Sequence, residues 1–322
     1  MSKIRVGVMG SAGYTGGELL RLLVFHPEVS IVFAHSKSKV GLRVSDIHTD
    51  LIGDTDLKFV DEVSQDIDLV FLCLAHGEAK NNLHLFNQAI KIIDLSQDFR
   101  LKSTKEKKLL YGLPELNKRK ILSAHYIANP GCFATSIQLA LLPIANANLL
   151  KSSIYIACTT GSTGAGQSLS NTSHFSWRQN NLSVYKAFTH QHIAEIDFNL
   201  KKLQVDFKES IHMFPQRGAF TRGILSCINI ETKLSIDVLY RLYTSYYQDH
   251  PFTIISQTPI DLKQVINTNK CLLYLEKNND QLMVVSVIDN LLKGASGQAV
   301  QNMNLMFGLV ETCGLKLKAS AF

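Results

Sequence analysis

Val8-Met9-Gly10-Ser11-Ala12-Gly13-Tyr14-Thr15-Gly16-Gly17 is the stretch on which the fold turns. It closes a short apolar run, Ile4 to Met9, and opens Tyr14 to Phe25, where Leu19, Leu20 and Leu23 share one face at helical spacing. Backbone amides at a helix start cradle a pyrophosphate when no Cβ blocks the approach, which glycine at 10, 13 and 16 allows. The strand, loop and helix read as a dinucleotide-binding unit, with Gly10, Ser11, Gly13, Tyr14, Thr15 and Gly16 as its cofactor contacts; a tight structural turn is the alternative. Val29 to Ala34, Asp68 to Leu74, Lys91 to Leu95 and Tyr126 to Ala128 are short and apolar, as parallel strands covered on both faces are. The first ~130 residues therefore predict a doubly wound α/β domain.

The second strand of such a domain usually ends in an acid that binds the ribose hydroxyls. Here it runs out as His35-Ser36-Lys37-Ser38-Lys39, with no carboxylate. Hydroxyls and a lysine suit a 2′-phosphate, so Ser36, Lys37 and Ser38 predict NADP(H) over NAD(H); a solvated lysine turn is the alternative.

Composition narrows the field. The chain has 322 residues, 46% hydrophobic and 19% charged, with 33 Lys+Arg against 27 Asp+Glu and a net charge of +6. That much apolar surface offsets the ordering entropy, which excludes a disordered regulator. The longest apolar run, Leu69 to Ala75, is far short of the roughly 18 to 20 residues of a spanning helix, so no membrane partner and a cytoplasmic location are expected. No basic helix, stacking motif or zinc finger points to nucleic acid. The six cysteines are widely spaced with no CxxC pair, which predicts neither a disulfide framework nor a metal site.

Beyond residue 132 the character changes. Ala134 to Leu142 predicts a helix ending at Pro143; the strand candidates Ile154 to Thr160, Gly223 to Ile230, Cys271 to Glu276 and Gln281 to Ile288 then predict an α+β part, and Ala295 to Leu309 a buried helix. In Asn129-Pro130-Gly131-Cys132 the cysteine follows a Pro-Gly turn at the head of an apolar helix, where unpaired amides and the helix dipole favour a nucleophilic thiolate; a buried core cysteine is the alternative. Thr189-His190-Gln191-His192-Ile193-Ala194-Glu195-Ile196 opens an amphipathic segment with Thr189 as its candidate cap. A helix start disfavours imidazolium, so a histidine there stays neutral and able to accept a proton; a surface or capping histidine is the alternative, and metal ligation lacks an obvious third ligand nearby.

In this order the glycine loop, Asn-Pro-Gly-Cys and the paired histidines resemble the N-acetyl-γ-glutamyl-phosphate reductase family of arginine biosynthesis. The resemblance runs nearly end to end and includes Tyr111-Gly112-Leu113-Pro114-Glu115-Leu116-Asn117, Gly161-Ser162-Thr163-Gly164-Ala165-Gly166 and Asp289-Asn290-Leu291-Leu292-Lys293-Gly294-Ala295-Ser296-Gly297-Gln298-Ala299. It implies a fold similar to glyceraldehyde-3-phosphate dehydrogenase: a Rossmann-type NADP-binding domain over residues 1–131, completed by a C-terminal helix over 291–322, and an α+β catalytic and oligomerisation domain over 132–290. It further implies that Ala75, His76, Gly77, Gly161, Ser162, Gly164 and Asn290 face the cofactor.

The implied chemistry is reductive dephosphorylation of N-acetyl-L-glutamyl 5-phosphate. Cys132 attacks the acyl carbon and expels inorganic phosphate; a hydride from NADPH reduces the thioester, and the semialdehyde leaves. His192 is the first choice for the proton shuttle and His190 the runner-up; Arg100, Arg178, Arg222 and His190 are candidates for the substrate's anionic groups, each arginine being equally readable as a surface or ion-pair residue. A homo-oligomer, dimer or tetramer, is expected. Two departures from the family pattern stand out: Gln216 follows Pro215 where many members have histidine, and Ala194 precedes Glu195 where proline is usual. The N-succinyl substrate or aspartyl phosphate would need the same chemistry, and an NADP-binding thiol regulator would need none.

Overall fold

A computed structural model describes residues 2–102 and 107–320, so the expected domain limits at 1 and 322 lie outside it. The chain divides into two compact units, one of residues up to 130 with 295–316, the other of residues 131–294 with those from 317 on.

The first unit is built on a parallel sheet of β1 (Ile4–Met9), β2 (Val29–His35), β3 (Phe59–Val60), β4 (Leu69–Leu72), β5 (Lys91–Asp94), β6 (Leu110–Tyr111) and β7 (Tyr126–Ala128), in the order β3-β2-β1-β4-β5-β7-β6. Its helices are α1 (Tyr14–Val24), α2 (Val44–Ile47), α3 (Ala79–Asn82) and α4 (Pro114–Ile121). All four residues of β4 are buried, because helices and loops cover both faces. The order reverses between β1 and β4, and the carboxyl ends of these two strands define the crevice where open α/β sheets take their ligands.

The second unit carries α5 (Cys132–Asn146), β8 (Ile154–Thr160), α6 (Phe175–Arg178), β9 (Ser183–Val184), α7 (His192–Leu203), β10 (Ile211–Arg217), β11 (Ile224–Glu231), α8 (Ile236–Tyr247), β12 (Thr253–Ser256), β13 (Cys271–Asn278) and β14 (Gln281–Ile288). Its mixed sheet runs β12-β13-β14-β11-β8-β10-β9, with α5 packed on β11 and β14 and against α7. Ser136 fixes the helix on the sheet through hydroxyl contacts of 3.0 Å to both Ser226 and Ser286.

Two expectations are corrected. The helix expected to stop at Pro143 continues to Asn146. Proline removes the amide that would bond to the Leu139 carbonyl, but the Tyr247 hydroxyl donates to that carbonyl instead, and Tyr243 donates to Ala140 at 2.5 Å. We therefore expect Tyr247→Phe to cost about 1–3 kcal/mol, by leaving a buried carbonyl unmet; a melt within 1 kcal/mol of wild type would show that the helix holds its proline turn without α8. The C-terminal helix spans Gly297–Met306 rather than 291–322: a wide π turn at Leu292–Ser296 precedes it, and soon after it Gly308 adopts φ 68°. This helix packs on α1, α4 and β5 of its own unit.

Candidate active site

In the first unit, Gly10 turns the chain at φ 71°, and a Cβ there would lie 2.3 Å from the Cys73 carbonyl oxygen at the end of the β4 segment. A Cβ on Gly16 would lie 2.5 Å from Cα of Ser11, whereas one on Gly13 would meet nothing closer than the Gly10 carbonyl at 3.8 Å. Ser11 is tied down, with its amide and hydroxyl both donating to the His35 carbonyl at 3.1 and 2.9 Å. Gly13 caps α1 without a side-chain acceptor, so the helix start keeps its amides for an anion. These features fit a dinucleotide's pyrophosphate.

At the end of β2, Ser36 is 7% exposed with its hydroxyl 3.5 Å from that of Ser38, while Lys37 is exposed. Across the crevice, Ala75 and His76 are exposed; the Gly77 amide donates to Asp98 at 2.7 Å and the Gln97 amide to His76 at 3.3 Å. Arg100 faces backbone here: its Nε donates to the Asn129 carbonyl at 2.9 Å and Nη2 to that of Leu95 at 3.0 Å. Nearby Asp94 is pushed up to about 6 by burial, against hydrogen bonds from Ser96 and the charge of Arg100.

In the second unit Cys132 is the first residue of α5. The Gly131 amide just before it donates at 2.9 Å to Glu195, which is 1% exposed on the first turn of α7. Thr189 is not the cap of α7; the His192 amide is taken by His190 Nδ1 at 3.2 Å, because the helix begins at His192 and the His190 ring folds back onto its first donor. The rings of His190 and His192 lie 4.7 Å apart, and those of Phe133 lie 5.4 and 6.3 Å from them. Burial pushes His190 down to about 4, with Lys186 and Arg217 adding to it. Among the described residues no group of three His, Cys, Asp or Glu is placed to hold a metal.

The loop at Gly161 is pinned to the entry of β11. Ser162 and Thr163 amides donate to the Phe220 and Thr221 carbonyls at 2.8 and 3.1 Å, and Gly164 closes on Gly161 at 3.2 Å. The Asn290 side chain accepts from the Gly223 amide at 2.7 Å and donates to the Thr163 hydroxyl at 3.0 Å, so it holds the two loops together. Arg222 pairs with Asp289, which is fully buried. Arg178 lies beside Arg217, with its Nη1 donating to the Arg217 carbonyl at 2.7 Å.

Three residues that sequence reasoning missed join this site. Tyr185 has its ring 5.9 Å from His190 and 4.6 Å under the Arg217 guanidinium; burial, helped by Cys132, pushes its phenol up to about 12. Tyr185 and Arg217 meet because β9 pairs antiparallel with β10, which neither segment announces locally. Glu195 did carry a signal, standing one helical turn after His192 and so on the same face.

The chain matches two family models, "Semialdehyde dehydrogenase, NAD binding domain" over residues 5–124 and "Semialdehyde dehydrogenase, dimerisation domain" over 132–290. Aspartate semialdehyde dehydrogenase II of Vibrio cholerae shares the fold, with TM-score 0.73 and 16% identity over 96% of this chain and 99% of that one. The Candida albicans enzyme crystallised with NADP gives TM-score 0.72 at 15% identity, over 95% and 99%. Among curated proteins, N-acetyl-gamma-glutamyl-phosphate reductases of Parabacteroides distasonis and Bacteroides fragilis are 52% and 53% identical over 322 residues, 99% of this chain and 100% of each relative. A thiol at the start of α5, a neighbouring histidine pair and a dinucleotide crevice accord with that likeness: the chain belongs to the N-acetyl-gamma-glutamyl-phosphate reductase family.

Proposed function

We propose that the protein reduces N-acetyl-L-glutamyl 5-phosphate to the 5-semialdehyde, with Cys132 as nucleophile and NADPH as reductant. The observation that carries this reading is Cys132 at the first position of α5, whose positive end favours a thiolate, with His190 and His192 gathered around Phe133. The thiolate adds to the acyl carbon, the C–O bond to phosphate breaks, and a thioester remains. Gly10 to Gly16 and Ala75 to Gly77 would hold NADPH, which would supply the hydride for the thioester carbon; collapse of the resulting adduct breaks the C–S bond, returns the Cys132 thiolate and frees the aldehyde. The Gly131 amide is engaged by Glu195, so the developing oxyanion falls to later amides of the first turn of α5. His192 shuttles the proton. His190 stays neutral, its Nδ1 turned to a backbone amide, and so presents Nε2–H as a donor.

Phosphate-dependent reduction of NADP by N-acetylglutamate semialdehyde tests the reading, with the N-succinyl counterpart and aspartate semialdehyde as controls. Turnover with aspartate semialdehyde in preference to both would overturn the substrate assignment, and NADP binding without turnover of any aldehyde would favour a regulator. A pH series separates the histidines. His192→Asn is expected to remove the acid limb of the kcat/KM profile. His190→Asn should leave that limb in place, because a group pushed down to about 4 is already neutral across it.

The cofactor preference rests on Ser36, Lys37 and Ser38, with no acid ending β2. Lys37→Met should weaken NADPH binding about tenfold and leave NADH binding unchanged. Equal or tighter binding of NADH by the wild type would refute the preference.

Homo-oligomerisation is supported by the dimerisation-domain match and by the sheet face away from α5, where Tyr155 is 50% exposed and Leu225, Cys227, Leu272 and Tyr274 are half-buried. No described helix is long and apolar enough to cross a membrane, and the six cysteines form no disulfide. Both features suit a cytoplasmic enzyme.

A further inference from the structure

The surroundings of Tyr185 gather positive charge that no carboxylate among the described residues pairs. Arg178 is 7% exposed; its Nη1 donates to the Arg217 carbonyl at 2.7 Å, its Nε and Nη2 to the Thr172 carbonyl at 3.3 and 3.1 Å, and its guanidinium lies 4.7 Å over the Trp177 ring. All these acceptors are neutral. Arg217 lies over Tyr185, and its Nε is buried without a hydrogen-bond partner. Lys186 adopts φ 46° next to Tyr185, and its Nζ reaches a neutral acceptor, Gln191, at 3.4 Å. No ion pair joins any of these three cations to an acid among the described residues.

Like charges gathered at a partly desolvated site are unfavourable unless an anion joins them, and a buried guanidinium N–H with no acceptor is rarer still. Of the other arginines of the sequence reading, Arg222 is paired with Asp289. The cluster also lies near the nucleophile. Tyr185 feels the charge of Cys132, and His190 bridges Tyr185 to Phe133, the residue after the thiol.

The geometry points to Arg178, Arg217 and Lys186 as an oxyanion subsite beside Cys132, which holds a carboxylate or phosphate group of the substrate while the thiol attacks. Two planar guanidinium forks and one ammonium suit such a group, and Tyr185 beneath Arg217 keeps its fork in place. This inference rests on the acyl-phosphate reading for its substrate but not for its charge.

Two measurements on the full-length protein test it, with Arg217→Met and Lys186→Met, neither of which removes the contacts that Arg178 makes to backbone. The first compares alkylation of Cys132 by iodoacetate and by neutral iodoacetamide. An oxyanion subsite speeds the anionic reagent selectively, so the iodoacetate-to-iodoacetamide rate ratio should fall about tenfold in Arg217→Met and less in Lys186→Met. This readout needs no turnover. A ratio unchanged in both variants overturns the subsite even if the enzyme proves to be a reductase. The second is the KM of each reactant in the phosphate-dependent direction. KM for inorganic phosphate rising about tenfold in Arg217→Met with kcat little changed identifies the phosphoryl group as the occupant. The same rise in KM for N-acetylglutamate semialdehyde identifies the carboxylate, and a rise confined to the N-succinyl aldehyde identifies a carboxylate at the end of the acyl group. A fall in kcat with every KM unchanged would overturn the proposal, because it would assign Arg217 to support of the thiol rather than to substrate binding.

Discussion

Cys132→Ser is expected to lose turnover by on the order of 10³ to 10⁶ while keeping its fold and its affinity for NADP(H). The hydroxyl is nearly the size of the thiol, and Cys132 stands at the start of α5 rather than in its tightly packed middle, so a melting temperature close to wild type is expected. The loss is chemical. A serine hydroxyl stays protonated where a helix start can hold a thiolate, and an alkoxide is a far poorer leaving group when the tetrahedral adduct collapses to aldehyde. The rate of NADP reduction with aldehyde and phosphate measures it. Undiminished turnover in the variant would refute the thioester route, whereas loss of NADP binding together with rate would mean that the substitution had disturbed more than the nucleophile.

The parts of this protein that could be read from sequence are those in which one local pattern suffices. Glycines 10, 13 and 16 between an apolar run and an amphipathic segment specify a strand, a turn and a helix within about thirty residues of a βαβ unit. Cys132 after a Pro-Gly turn specifies a helix start in the same way. The misreadings share a cause. Pro143 looks like a helix end until Tyr247, on α8, supplies the hydroxyl that meets the Leu139 carbonyl. Thr189 looks like a cap until the His190 ring takes the first amide of α7. Arg222, readable from sequence as a substrate contact or an ion-pair residue, pairs with Asp289, 67 residues away. Tyr185 and Arg217 belong together through the β9–β10 pairing. Each depends on a partner distant in the chain or on a side chain folding back, which periodicity does not encode.

Asp289→Ala should cause a large loss of stability in the second unit. The carboxylate is fully buried and accepts five hydrogen bonds: Oδ1 from the Leu291 and Leu292 amides at 2.8 and 3.1 Å and from Arg222 Nη2 at 3.3 Å, Oδ2 from Arg222 Nε at 3.1 Å and the Asn267 amide at 2.8 Å. Removing it leaves a partly buried guanidinium without its counter-charge and three amides without acceptors, a change that costs about 3–5 kcal/mol. Asp289→Asn keeps one carbonyl oxygen for the Leu291 and Leu292 amides and should lose less. The charge contribution separates in a double-mutant cycle with Arg222→Met: once the cation is gone, deleting the acid should cost about 1–3 kcal/mol less than it does alone. Strictly additive losses would mean that the carboxylate works through the amides and not through Arg222. The site should respond as well. The Asp289 carbonyl accepts from the Gly294 amide at 2.9 Å, and a Cβ on Gly294 would lie 2.8 Å from that of Cys132, so the loop this carboxylate organises passes directly over the nucleophile. Alkylation of Cys132 by iodoacetamide should therefore change rate in Asp289→Ala at temperatures well below its melt. An unchanged rate would separate the role of Asp289 in folding from the shape of the site.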